Sequence, residues 1–206
     1  MQFKQFIASS IITAAFAFSS AGVFADPVID KPAPAFTGTT ADGGKLNLDS
    51  LRGKTVVLEW TNNECPFVVK HYESGNIPQL QKDAASKEIT WVQIISSAPG
   101  KQGHVDGATA LKLNESRGAK PAYVVLDEDG KIGKLYGAQT PPHIFVIDAK
   151  GVLVYKGGID SIPTAKKEDI ARATNYVKET WVALADGKKV PHPSTKPYGC
   201  SIKYSS

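Results

Sequence analysis

The chain has 206 residues, 42% of them hydrophobic and 21% charged, with a formal net charge of +4. That is enough for one domain of ordinary size with a real core. Lysines and arginines are dispersed along it, which excludes a nucleic-acid-binding or polybasic membrane surface; the densest basic stretch, 187–197, is broken by proline and reads as a solvated tail.

Residues 1–25 read as a secretory leader rather than as fold. Lys4 supplies the positive start, 6–18 is apolar apart from small hydroxyl residues, and Val23-Phe24-Ala25 is a small-x-small cleavage site before Asp26-Pro27. The apolar run is too short and too interrupted to read as a membrane span. No cysteine lies near the cleavage site, which argues against a lipid-anchored form. The expected organisation is therefore a leader, 1–25, cleaved after Ala25, and one domain, 26–206, that is secreted or periplasmic and not membrane-integral. Export implies an oxidising compartment. The two cysteines, Cys65 and Cys200, can form one disulfide or stay as two thiols. No CxxC, CxxxC or paired-cysteine zinc pattern is present.

In chain order, the proline-rich stretch 26–36 reads as an extended lead-in. A short hairpin follows, with arms at 37–39 and 45–48 around Asp42-Gly43-Gly44. Residues 49–53 read as one helical turn or a turn that feeds a strand at 56–60. Val56-Val57-Leu58 is a buried-strand run, Asn62-Asn63-Glu64 is turn chemistry, and Pro66 suits a first helical position. Cys65 then falls at a helix N-cap, where unpaired N–H groups and the positive dipole end favour a thiolate. The alternative is that Cys65 is a small buried hydrophobe. Helix follows from 66 to 72, breaks at Gly75-Asn76-Ile77-Pro78, and resumes to about Lys87, with Asn76 as the expected cap. Strands are expected at 89–96, 122–127, 144–148 and 152–156, the last two antiparallel. A weak helix is expected at 108–117 and a last helix over 165–184, with Ile170, Ala173, Val177, Trp181 and Leu184 on one face. The element order predicts an α/β sandwich built on a mixed sheet.

Cys65-Pro66-Phe67 after a strand, together with Thr140-Pro141-Pro142-His143-Ile144-Phe145-Val146-Ile147-Asp148, resembles the thioredoxin fold. Within it the chain is similar to the redoxin or peroxiredoxin-like branch, of the alkyl hydroperoxide reductase and thiol-specific antioxidant type. The segments DEDGKIGKLYGA (127–138), TNNECPFVVKHY (61–72) and GCSIK (199–203) carry the likeness, which covers about residues 30–204. It implies a thioredoxin-like mixed sheet flanked by helices with an N-terminal β-hairpin extension. It implies that Pro142 forms the cis-proline loop beside the active cysteine, the alternative being a surface Pro-Pro turn. It implies that Glu59 is a buried acid behind the thiol, able to relay a proton; the alternative is a solvated strand residue.

Departures from the family pattern narrow the chemistry. Val68 stands where thioredoxins carry a second cysteine, which excludes a simple dithiol. Asn62 stands where peroxiredoxins have Thr or Ser, and could hydrogen-bond a peroxide oxygen. Pro142 stands where they have an arginine, and Glu64 opposes ionisation of Cys65. His143 could supply positive charge or a proton, or simply pack. Lys70 and Arg117 are cations without a place, and His71, six residues after Cys65, reads as surface.

The expected function is thiol-based oxidoreduction. Cys65 attacks a peroxide or a disulfide, and Cys200 resolves the product. Cys200 could instead be a free thiol or part of a structural disulfide. The tail carrying it, rich in Lys, Pro, Gly and Ser, suits a segment that moves to reach a buried site. The partners implied are a reductant thiol protein or small thiol and a peroxide or disulfide substrate, with no cofactor and no resident metal. The alternative is a copper-handling or redox-inactive binding module on the same fold, using Cys65 with His143.

Overall fold

The computed structural model describes residues 26–205; the expected leader, 1–25, lies outside the described residues. Seven strands form a single mixed sheet: β1 (Thr37–Thr40), β2 (Lys45–Asn47), β3 (Val56–Trp60), β4 (Thr90–Ile95), β5 (Tyr123–Leu126), β6 (His143–Ile147) and β7 (Leu153–Gly157). Their order across the sheet is β2-β1-β5-β4-β3-β6-β7. β3 pairs parallel with β4 and β4 with β5, while β6 runs antiparallel to β3 and to β7. Five α-helices accompany the sheet: α1 (Pro66–Glu73), α2 (Asn76–Ser86), α3 (Gly107–Ser116), α4 (Lys131–Leu135) and α5 (Tyr176–Ala185). This is the expected thioredoxin-like mixed sheet flanked by helices, with the β1–β2 hairpin added at its edge.

All five residues of β3 are buried, because both faces of the sheet are covered. Side chains alternate between the two layers. Leu58, Trp60, Val92, Ile94, Phe145 and Ile147 pack on one side with Leu46, Phe36 and Tyr136. Val57, Trp91, Ile144 and Val146 pack on the other with Val68, Tyr72, Ile77, Leu80, Val177 and Trp181. Cys65 belongs to this second layer.

Three local expectations change. Gly75, at φ +76°, precedes α2 as its cap, so Asn76 is the first residue of α2 and its side chain turns to His71 instead. The last helix is two pieces: a 3-10 turn, Lys167–Arg172, and α5. Asn175 separates them, because its side chain accepts the N–H of Lys178 and starts a new helix. α4 falls where no helix was expected. The Asp127 carboxylate accepts the N–H groups of Ile132 (3.0 Å) and Gly133 (2.8 Å), which holds five residues in a helical turn. No helix among the described residues is long and apolar enough to cross a membrane.

Candidate active site

The site lies past the C-terminal end of β3. β6 is antiparallel to β3, with His143 opposite Trp60, so the loop entering β6 arrives at the same end of the sheet. The polar turn after β3 is closed by Asn62. Its carbonyl accepts the Cys65 N–H (3.1 Å) and its side-chain oxygen accepts the Glu64 N–H (2.9 Å). Cys65 is the N-cap of α1, with Pro66 at the first helical position and no side-chain cap bond. Its thiol is wholly buried and donates to Pro141 O at 3.6 Å. The Pro141–Pro142 peptide is cis.

The tail lies over this sulfur. The Cys200 N–H donates to Cys65 Sγ at 3.3 Å, and the two cysteines are free thiols. Gly199, at φ +145°, packs so closely on the cis-proline loop that a Cβ there would overlap Pro141 O. The Cys200 thiol is pushed up to about 11, first by burial, then by its hydrogen bond to Cys65 and by the charge on Cys65. The tail thus needs no excursion to reach the site, contrary to the sequence expectation. It is tied down on both sides. The Thr195 N–H bonds Lys156 O on β7 (3.0 Å), while Ile202 is buried and its N–H bonds Gln139 O (2.9 Å).

Two buried polar networks flank α1. The first is centred on Glu59, which is buried rather than solvated. Its carboxylate accepts from Tyr72 Oη and from Trp91 Nε1, both at 2.7 Å. Gln93 Nε2 donates to Tyr72 Oη (2.6 Å), Gln93 and Asn114 exchange amide bonds, and Arg117 donates to Asn114 (2.9 Å) while its guanidinium sits 3.9 Å from the Tyr72 ring centre. Burial raises the Glu59 carboxyl above its usual range, against the lowering effect of Tyr72, Trp91 and Arg117.

The second network joins α1 to the tail. Lys70 and His71 are fully buried, so His71 is not a surface residue: α1 is covered on its outer side by the segment after β7 and by the tail. Tyr198 Oη donates to Asp160 Oδ1. It lies 3.2 Å from His71 Nε2 and 3.4 Å from Lys70 Nζ. Lys70 also donates to the carbonyls of Thr164 (3.0 Å) and Ile162 (3.4 Å) and faces Asp160 Oδ2 at 3.5 Å. Asn76 Nδ2 donates to His71 Nδ1 (2.8 Å), so the neutral ring carries its proton on Nε2. Burial, and then Lys70, hold His71 down to about 3.

His143 does not face the thiol. Strand alternation puts it in the layer opposite Cys65, tilted on Phe145 with 4.5 Å between ring centres. Its Nδ1 accepts the Gln139 N–H (3.2 Å), and burial, with Lys156, holds it neutral, down to about 3. It is therefore not the cation proposed beside Cys65. Neither is Arg117, which is committed to the Glu59 network. Asn62 spends its side-chain oxygen on its own turn. Among the described residues no three His, Cys, Asp or Glu side chains gather as a metal-ligand set.

Sequence reading missed Tyr198, Asp160, Gln93 and Asn114, and left Lys70 and Arg117 unplaced. The one local signal is Lys70-His71 set in a helix that otherwise buries apolar residues, with Tyr198 two residues before Cys200. Only the tertiary contacts join them.

Comparison with known proteins gives the family of the chain. A thiol:disulfide interchange protein, DsbE, of Pseudomonas fluorescens biotype C is 32% identical over 151 residues, covering 68% of this chain and 77% of that protein. A thiol-disulfide oxidoreductase, ResA, of Bacillus cereus is 29% identical over 134 residues, covering 58% of this chain and 78% of that protein. An uncharacterized conserved protein of Geobacillus kaustophilus, known from a crystal structure, superposes with a TM-score of 0.72 at 26% identity, covering 86% of this chain and 93% of that one. The Redoxin family pattern matches residues 29–174, which take in every strand, Cys65 and the cis-proline loop. On that match and the DsbE relationship, this chain belongs to the redoxin family, a branch of the thioredoxin fold.

Proposed function

We propose that the chain is an exported thiol–disulfide oxidoreductase in which Cys65 is the attacking sulfur and Cys200 the resolving one. The observation that carries this reading is the Cys200 amide 3.3 Å from Cys65 Sγ, at a helix N-cap beside a cis-proline loop. Cys65 Sγ forms a bond to one sulfur of a substrate disulfide, R–S–S–R′, and R′S⁻ leaves and takes a proton. Cys200 then gives up its proton and attacks Cys65 Sγ, expelling RS⁻. Two electrons pass to the substrate, and a Cys65–Cys200 disulfide remains for an external thiol protein or small thiol to reduce. The raised Cys200 thiol supports this order of attack. Cys200 is held protonated partly by Cys65, and that part of the hold disappears once Cys65 is in a mixed disulfide. Pro141 and Pro142 supply the edge against which the substrate sulfur docks, Asn62 sets the turn that presents Cys65, and Glu59 stores a proton behind α1.

Peroxide is the finer alternative to a disulfide substrate. It is disfavoured because Arg117 and His143 are both withheld from Cys65. The leader-like residues 1–25 support export, which amino-terminal sequencing of the secreted fraction checks.

Mass spectrometry after brief exposure of the reduced protein to glutathione disulfide, and separately to hydrogen peroxide, tests the chemistry. Glutathione disulfide is expected to give an intramolecular Cys65–Cys200 disulfide, and a Cys65–glutathione adduct to accumulate in Cys200→Ser. If Cys65 stays a free thiol with glutathione disulfide, the reading fails; oxidation by peroxide alone favours the peroxidase.

A further inference from the structure

In the closed arrangement no substrate reaches Cys65, because its sulfur has no exposed surface. What covers it is the strap 196–201. The strap cannot swing as a free tail, since Thr195 is tied to β7 and Ile202 to the core. Access has to come from an outward bulge between these two anchors. Within the strap, one side chain reaches far into the protein. Tyr198 packs edge-on against Phe67, with 5.8 Å between ring centres, and sends its hydroxyl into the socket of Lys70, His71 and Asp160.

The socket satisfies that hydroxyl completely. A phenol has one proton and two lone pairs. The proton goes to Asp160 Oδ1, and Nε2–H of neutral His71 and the Lys70 ammonium supply the two donors. The socket depends on the hydroxyl in turn. Asp160 Oδ2 has no hydrogen-bond partner and faces Lys70 Nζ at 3.5 Å and His71 Nε2 at 3.7 Å, so withdrawing Tyr198 leaves a buried ion pair short of a donor.

We propose that Tyr198 is a positioning residue of the exchange reaction, whose hydroxyl plugs the Lys70–His71–Asp160 socket and so latches the strap over Cys65. With the plug seated, Cys200 is in register to resolve and Cys65 is sealed; with the plug drawn, Cys65 is open to substrate. The part played in resolution rests on the thiol–disulfide reading above; the sealing of Cys65 does not.

The test uses the fully reduced full chain and Tyr198→Phe, which keeps the ring against Phe67 and removes only the hydroxyl. Iodoacetamide labelling of Cys65, followed by peptide mapping, is expected to speed up about tenfold or more, the factor that one lost hydrogen bond to a charged group corresponds to. That acceleration is expected to persist in urea well below the unfolding midpoint, a readout that a general loss of stability does not give. In a glutathione redox buffer the variant is expected to hold less Cys65–Cys200 disulfide and more Cys65–glutathione adduct. A Cys65 labelling rate unchanged in folded Tyr198→Phe overturns the latch. Faster labelling with no Cys65–Cys200 disulfide in either protein upholds the latch and overturns the exchange reading. Should Tyr198→Phe fail to fold, the unsubstituted chain answers: labelling of Cys65 through a local opening, insensitive to low urea, supports the strap, and labelling only through global unfolding overturns it.

Discussion

The two buried polar networks that flank α1 are built from similar parts and do different work. The Glu59 network has every member on an element of the permanent scaffold: β3, α1, β4, α3 and the residue that follows α3. Its bonds to Glu59 and Gln93 break only if α1, α3 or a strand of the sheet moves. The Tyr198 network takes Lys70 and His71 from α1 and Asp160 from the segment after β7, but its central hydroxyl comes from the strap that covers Cys65. Breaking its bonds asks only for a local bulge. A buried polar cluster is thus a fixture or a catch according to which element its hydroxyl belongs to.

Substitution at the centre of each network breaks this comparison most directly. Glu59→Ala leaves the Trp91 N–H and the Tyr72 hydroxyl buried without an acceptor, and is expected to lower the unfolding free energy by about 3–5 kcal/mol. Denaturant unfolding followed by tryptophan fluorescence measures it; a loss below about 1 kcal/mol removes Glu59 from the scaffold role.

Acid sharpens the comparison next. His71 and His143 are held near 3, against 6.5 for the unperturbed side chain. Between those values the unfolded chain binds the extra protons. Their contribution to stability is therefore complete above pH 6.5 and is lost on acidification, by about 1.4 kcal/mol per pH unit for each histidine. Glu59 has the opposite sign. Its folded value lies above 4.5, so between 4.5 and that value the native state holds the extra proton, and stability is regained as pH falls. Urea midpoints between about pH 7 and pH 5 are expected to fall with acid, Glu59 opposing the two histidines in this window; His143→Gln is expected to make the fall shallower and Glu59→Gln to make it steeper. A pH dependence left unchanged by His143→Gln would mean that this imidazole is not buried uncharged.

The smaller effects concern the strap. Gly199→Ala places a Cβ on Pro141 O at a backbone angle that side chains rarely adopt, so it is expected to lift the strap and speed Cys65 labelling several-fold. Global stability is expected to change by about 1 kcal/mol, since the anchors at Thr195 and Ile202 remain. Tyr198→Phe is expected to cost the whole fold about 1.4 kcal/mol, the energy of a tenfold change in opening, while changing access to Cys65 most. A loss as large as that of Glu59→Ala would put Tyr198 with the fixtures.

The likeness to the thioredoxin fold, the placement of the strands and the turn that delivers Cys65 to α1 were all legible in the residues. They rest on near-neighbour physics: runs of β-branched residues, turn-forming asparagines, and a proline suited to a first helical position. The α4 turn was not legible, because a carboxylate at Asp127 holds it from outside. The last helix was read too long, because periodicity carries through Asn175 while its side chain starts a new helix. At the site, the cysteines and prolines could be named, but not their company. Whether His143 looks toward Cys65 is decided by which face of β6 it lands on. Whether Lys70 and His71 are solvated is decided by what covers α1, and that cover comes from residues 160–164 and 198, far along the chain. The order of residues was enough for a redoxin-type sheet with a cysteine at a helix N-terminus. It took the assembled fold to set the far cysteine on the near one, held by a tyrosine in a buried ion pair. Local propensity acts over a few residues, whereas burial and charge pairing act between any two that the fold brings together.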